Sequence, residues 1–584
     1  MNHRLFLGAL GLITIALISM PKAQAQTAPA QVLARGAPLG GANGLSFDAQ
    51  DRLHVASVGS RSIFVLDPDS GAVLERYGPD AGVEGPDDLT FGPDGSLYWT
   101  ALFTGAVGRR TPDGVTSTVA TLPPGVNPIT FSDDGRLFVA LDFLGDGLYE
   151  LDPAGAQPPR LLIEQLGFLN AMDFGPDGRL YGPIYTQGRV VRIDVNARPP
   201  TVETVADGFA IPVAVKFNTA GELYALDAAR GQVIKLDPTT GAQDVVATLT
   251  PGLDNLAFDS RGRLFVSSND DGFVVEVRPD GTTRTVSPDG MIAPGGIAVR
   301  PGPGGDDQLI VADMFSLRAF DGNTGSVADA PHHPANTLFA DGDRLLVSSW
   351  FANTVAVLDA AGAVVESYAD FNLPLNAIRF QGDLVVAELG TASVVRQSGG
   401  DAATRIALAS GLGVPSGLAA TADDLWAADW AAGTLLQLVA DGQPLATPRV
   451  VAQGLRGPEG LALDRDGSLL VVESGAGAVT RVDPATGQMR SVATGLQFTG
   501  PMPGAPPTTV MSSVAVGGDG TIYVTGGEPA GVIYRIEQTP TAPPSGPATL
   551  PNTGGTGAGL LLLAALALLL LLSGLALRAA TARP

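Results

Sequence analysis

An all-β chain of repeated four-stranded sheets is what this sequence predicts, and three observations carry it. Between about Gln31 and Gln538 a phrase recurs twelve times: an apolar stretch ending in Phe or Val, an Asp/Gly turn, then a strand opening with Leu. The phrase-ending residues are Phe47, Phe91, Phe131, Phe174, Phe217, Phe258, Val299, Phe339, Phe380, Ala420, Leu463 and Val516, in steps of 44, 40, 43, 43, 41, 41, 40, 41, 40, 43 and 53. Turns rich in Gly, Pro and Asp fall about every ten residues, a spacing that would break each helix of a helical solenoid. A step of about 42 residues holding four short strands is the signature of a propeller blade.

Each copy reads in the same order. The first strand ends at the residue named above, and a PDG- or DDG-type turn leads into the second, as in FGPDGSLYWTA from Phe91. The third strand closes on phrases such as Leu236-Asp237-Pro238-Thr239-Thr240-Gly241, and the fourth follows, as at Val245. Twelve blades exceed the four to eight that one ring holds. The expected fold is therefore two tandem six-bladed β-propellers, residues 26–289 and 290–538. Gln31-Val32-Leu33-Ala34 reads as a fourth strand ahead of the first repeat, and the last repeat stops after a third strand, Ile533 to Ile536. With the chain divided near Pro288, the first segment is expected to complete the sixth blade and Arg284-Thr285-Val286 the twelfth, leaving no open edge. The longest step holds Gln497 to Val510, with Pro501, Pro503, Pro506 and Pro507, and reads as a loop inserted before the last blade.

Composition narrows the function. The 584 residues carry 59 acidic against 35 basic side chains, a net charge of -24, which disfavours phosphate backbones and therefore nucleic acid. The absence of cysteine excludes disulfides, thiolate metal sites and a cysteine nucleophile. Residues 1–25 read as a signal peptide: His3 and Arg4, an apolar run from Leu5 to Met20, and small residues at Ala23-Gln24-Ala25. Residues 539–549 form a Pro/Thr/Ala-rich spacer. In residues 550–584, Leu550-Pro551-Asn552-Thr553-Gly554 precedes an apolar stretch, Leu560 to Leu577, long enough to span a bilayer, then Arg578 and Arg583.

That last arrangement resembles the LPxTG cell-wall sorting signal of bacterial surface proteins. The resemblance implies a sortase as partner, which cuts between Thr553 and Gly554 and joins the new carboxyl to the cell envelope. The membrane is then met only through the sorting helix before processing, and the mature body is extracellular. A plain membrane anchor is the alternative. The repeats, such as PEGLALDRDGSLLVVESGAGAVTRVD from Pro458 and PGGIAV from Pro294, resemble the NHL-repeat, gluconolactonase-like and streptogramin-lyase-like propellers over about 500 residues.

In such propellers the residue four before each phrase end faces the channel mouth. In the first ring these are Asn43, Asp87, Asn127, Asn170, Val213 and Asp254, and five of the six carry side-chain oxygens that suit Ca²⁺ or another divalent cation. Gluconolactonase-like enzymes hold their metal with Glu, Asn and Asp at this register. The resemblance thus offers Asp87, Asn127, Asn170 and Asp254, with Asn43, as metal ligands, although the order of acid and amide differs from that family. The same residues equally suit a solvated channel rim. The second ring offers Gly295, Ala335, Asn376, Ser416, Glu459 and Ser512. Acidic residues after the second strands, Asp142, Asp227, Asp313, Glu388, Asp429 and Glu473, suit hairpin hydrogen bonds. Streptogramin-lyase-like enzymes rely on His and Glu; here His54 reads as packed, and His332 and His333 as an exposed loop pair. Trp350 and Trp430, with Glu459, are candidate ligand contacts of the second ring. No catalytic residue and no organic cofactor is assigned. The reading favours a surface-displayed module binding an extracellular ligand, protein or glycan. Its alternative is a metal-dependent lactonase or esterase in the first ring.

Overall fold

A computed structural model describes residues 29–302, 305–328, 333–527 and 530–538. The signal peptide, His332, the spacer, the LPNTG pentapeptide and the sorting helix lie outside the described residues. Among those described, the chain is all-β apart from four single-turn 3₁₀ segments, with no helix long and apolar enough to cross a membrane.

Among the described residues, forty-eight strands form twelve four-stranded antiparallel sheets. In eleven of them strand order follows the chain. The turns do this work. In the first hairpin of the second sheet the Gly95 N–H returns to the Gly92 carbonyl at 2.9 Å, and the Asp94 carboxylate accepts from Ser96 N at 3.0 Å. Gly95 has φ 76°, a conformation that a side chain disfavours. Asp237 does the same between third and fourth strands, accepting from Thr239 N at 2.8 Å.

The innermost strands of the first half are Leu45–Phe47, Pro86–Phe91, Val126–Phe131, Asp173–Phe174, Pro212–Phe217 and Leu253–Phe258. Neighbours in this sequence touch, and the sixth returns to the first. A ring of side chains repeats the closure. The phrase-ending Phe of each sheet meets a second-strand ring of the sheet before it: His54–Phe91, Tyr98–Phe131, Phe138–Phe174, Tyr181–Phe217, Tyr224–Phe258 and Phe265–Phe47, all with centroids 5.0 to 5.2 Å apart. Such pairs add about 0.5–1.5 kcal/mol each beyond burial, so the recurring Phe is cement between sheets. His54 is one member, 3% exposed, with Nε2 3.2 Å from Asp48 Oδ2. In the second half, innermost strands Ile297–Pro301, Thr337–Asp341, Pro374–Phe380, Pro415–Ala420, Pro458–Leu463 and Val514–Val516 also touch in order, and the last meets the first.

The strand exchange is corrected. Ala30–Arg35 pairs with Val532–Ile536, so the N-terminal segment completes the twelfth sheet, not the sixth. Thr283–Ser287 pairs with Val274–Val277 and completes its own sixth sheet. Both edges are still closed, but by the opposite assignment, because the chain crosses between halves twice. The crossings run side by side: Gly36 N donates to Gly531 O at 2.6 Å and Ala37 N to Met291 O at 2.8 Å. Arg318 ties the halves further, donating to Asp313 Oδ2 (2.5 Å), Asp270 O (2.8 Å) and Asp271 Oδ1 (3.0 Å).

Candidate functional site

Three of the innermost strands leave their ladders where the candidate residues stand. Register breaks between Pro86 and Leu89, Val126 and Ile129, and Leu253 and Leu256. A bulge re-aims side chains that a regular ladder would send into the sheet stack. Asp87, Asn127 and Asp254 sit in these bulges. Asn43 and Asn170 precede their strands and are held by backbone bonds to Ala56 O (2.9 Å) and Pro183 O (3.0 Å).

All five converge on one cavity of about 210 Å³, joined there by Asp142, Asn269 and Tyr185. Its other wall is apolar and comes from both halves: Phe103 and Phe143 from the first, Ile292, Ala293, Met314, Phe315, Trp350, Phe351 and Met502 from the second. Phe143 stacks on Phe351 with centroids 4.7 Å apart and planes 12° from parallel. Phe103 lies 6.5 Å from Trp350.

The amides on this floor are already engaged. Asn43 Nδ2 donates to Asn269 Oδ1 (3.2 Å), and its Oδ1 accepts from Val58 N (3.3 Å). Asn127 Nδ2 donates to Asp142 Oδ2 (3.2 Å) and Asn170 Oδ1 (3.4 Å), and the latter also accepts from Ala171 N (2.7 Å). The carboxylates are less well served. Asp142 is 4% exposed and its Oδ1 is buried without a hydrogen-bond partner. Asp87 is 5% exposed, and among the described residues no donor reaches its carboxylate. Below them, Asp88 is fully engaged, accepting from Leu89 N, Ile129 N and Asn255 Nδ2 at 2.9 to 3.1 Å.

Burial dominates the charge states. It pushes Asp87 well above the usual carboxylate range, helped by the charges of Asp254, Asp142 and Asp88. Asp142 is raised in the same way by burial and Asp254. Asp254 is pushed up to about 7 by burial and then by Asp88 and Asp270. Tyr185, whose hydroxyl donates to Asp142 O at 2.8 Å, is pushed up to about 12 by burial and the nearby acids. Among the described residues no Lys, Arg or His lines the cavity.

As a metal site, the floor offers the carboxylate oxygens of Asp87, Asp142 and Asp254, since the oxygens of Asn43 and Asn170 already accept. Among the described residues no group of three or more His, Asp or Glu side chains is placed to hold one ion.

The acidic residues after the second strands part company here. Asp227, Asp313, Glu388, Asp429 and Glu473 accept backbone N–H groups of the incoming loop: Ala210, Ile292, Asn372, Gly413 and Arg456, at 2.6 to 3.0 Å. Asp142 alone of the six has no such role and faces the cavity instead. Sequence reasoning missed this, and missed Phe103, Phe143, Phe315 and Phe351. Each of those Phe stands six residues after a second-strand leucine (Leu97, Leu137, Leu309 and Leu345), one position beyond the register of Trp350 and Trp430. That recurrence was the available signal.

The second-half candidates fall out differently. Trp350 is 6% exposed, lines the cavity above and donates from Nε1 to Thr509 O at 3.2 Å. Glu459 is 2% exposed, accepts from Ser512 N at 2.7 Å, and burial pushes it up to about 7. The buried Trp430 indole nitrogen close to it falls short of a hydrogen bond. The Gln497–Val510 insert packs here: Met502 and Val510 join Phe103, Trp350, Leu375 and Val414 in one apolar cluster.

No family model matches the chain, and no curated protein matches it. It is similar to solved structures of streptogramin B lyases and gluconolactonase-like proteins. Virginiamycin B lyase from Staphylococcus aureus is 15% identical over 49% of this chain and 96% of that one, with a TM-score of 0.35. A putative gluconolactonase is 17% identical over 45% and 94%, TM-score 0.35. The extracellular domain of a putative one-component system from B. thetaiotaomicron is 12% identical over 87% and 82%, TM-score 0.30.

Proposed function

We propose that this protein is a pair of six-bladed propellers, exported and held at the cell surface, that binds a small extracellular ligand at the mouth of its first ring. The observation that supports the reading is convergence: five polar residues from five sheets meet in one cavity, and the second half supplies most of the facing aromatic wall. A polar floor opposite an apolar wall is how small-molecule sites fix orientation while gaining affinity from burial. Export and anchoring rest on the terminal sequences, Ala23-Gln24-Ala25 and Leu550 to Gly554. A thermal-shift screen of small metabolites on the full chain tests the binding. Hits should vanish in Asp87→Ala and Phe143→Ala; hits that persist in both place the site elsewhere. Recovery of the chain from the cell wall with Thr553 at its new C-terminus tests the anchoring.

A second reading, a divalent cation supporting lactone or ester hydrolysis, is favoured by the donor-free carboxylate of Asp87 and the unpartnered Oδ1 of Asp142. A cation bound by Asp87, Asn127, Asn170, Asp254 and Asn43, with Asp142, would polarise a carbonyl. Ca²⁺ should then raise the melting temperature and a chelator lower it, with lactone turnover following metal occupancy. Melting and turnover indifferent to both would remove this reading.

A further inference from the structure

Resting on the reading of this cavity as the ligand site, we infer that its ligand is a small organic cation, an ammonium group carried on an apolar or aromatic body. Among the described residues no Lys, Arg or His lines the cavity, so no acidic group on the floor meets a described cationic partner there. Asp142 Oδ1 is buried and unpartnered, and leaving such an oxygen unmet costs its full desolvation. An ammonium N–H supplies the missing donor and the missing charge together. An anion would raise further the cost of ionising acids that burial already holds up, and a neutral ester brings no donor.

The wall opposite decides between an organic cation and a bare ion. Phe103, Phe143, Trp350 and Phe351 present rings to the same space, and aromatic faces attract ammonium groups while covering the carbon atoms attached to them. A metal ion gains nothing from such a wall, and the described acids do not group around a single ion position. A ligand reaching from carboxylates to rings uses both surfaces. The stacked Phe143 and Phe351 come from different halves, so occupancy also holds the halves together.

The test compares three probes of one shape on the full chain by calorimetry at pH 8: 2-phenylethylammonium, neutral 2-phenylethanol and anionic 3-phenylpropionate, with CaCl₂ as a fourth. The ammonium should bind at least about ten-fold more tightly than the alcohol, the order expected of one charge-assisted hydrogen bond. Asp142→Asn should bring the ammonium-over-alcohol ratio close to one, and Asp87→Asn provides the same readout should the first variant fold poorly. Equal or tighter binding of the alcohol or the propionate, or uptake of Ca²⁺ that displaces the ammonium, overturns the cation assignment while the cavity remains a binding site. If no probe binds and the metabolite screen also finds nothing at this cavity, the underlying reading fails with it.

Discussion

The two channel mouths are built from the same repeat yet end in opposite states. In the first half the mouth positions are Asn43, Asp87, Asn127, Asn170, Val213 and Asp254, and all but Val213 line a cavity with unmet carboxylate oxygens. In the second half the one acid, Glu459, is met by Ser512 N, and Ser416 Oγ donates to Pro458 O at 2.8 Å. Gly295 and Gly460 bring backbones so close that a Cβ would lie 2.4 Å from Asn336 O and 2.5 Å from Ser513 Cα. The inserted loop then packs Met502 and Val510 above. The difference teaches that the repeat sets where a side chain points, and only the local complement of donors sets whether it is structural or available.

The largest expected effect comes from breaking ring closure. Removing residues 1–35 strips Ala30–Arg35 from Val532–Ile536 and exposes that strand to pairing with other chains. Melting of the second half should drop and aggregation rise, read by calorimetry and light scattering, with the first half's aromatic ladder intact. Phe265→Ala attacks the other half: the side chain is fully buried against Phe47, and its loss should cost about 3–5 kcal/mol by denaturant titration.

A smaller effect separates Asp142 from its repeat-mates. Asp429 accepts from Gly413 N and Val414 N, so Asp429→Ala should destabilise by about 1–3 kcal/mol. Asp142→Asn replaces a buried carboxyl that no backbone donor meets and should leave stability at pH 7 unchanged or raised. A matched loss at both positions would erase the distinction between the two mouths.

The smallest effect is a slope with pH. Asp254 faces Asp88, Asp270 and Asn43, and Asp87 and Asp142 add their charges to the same space, with Tyr185 beside Asp142 and Arg318 near Asp270. A carboxyl held up in the folded state keeps its proton where the unfolded chain has lost it. Folding is therefore favoured at low pH, and that contribution is lost as pH climbs from about 4 through 7. Asp254→Asn should flatten this fall in a melting series.

Much of this architecture was legible before any coordinates. A turn every ten residues and a phrase every forty dictate short strands, four to a sheet, because Gly and Asp at fixed offsets leave no room for other elements. The five first-half mouth residues were legible for the same reason: register counted back from Phe47 or Phe91 is a geometric rule. Two things were not. The partner of Gln31–Ala34 depends on a crossing between halves, and either edge accepts a strand of that pattern. The aromatic wall was hidden because Phe103 and Phe351 stand 248 positions apart, and no periodicity within one half brings two mouths together.

The most direct measurement is the binding stoichiometry of 2-phenylethylammonium on the full chain by calorimetry. The account predicts one site per chain, weakened at least about ten-fold in Asp87→Asn and untouched by Glu459→Gln, because the buried acids that lack donors lie at the first mouth. Two equivalent sites, or a single site that keeps its full affinity in Asp87→Asn and loses it with Glu459→Gln, would contradict it.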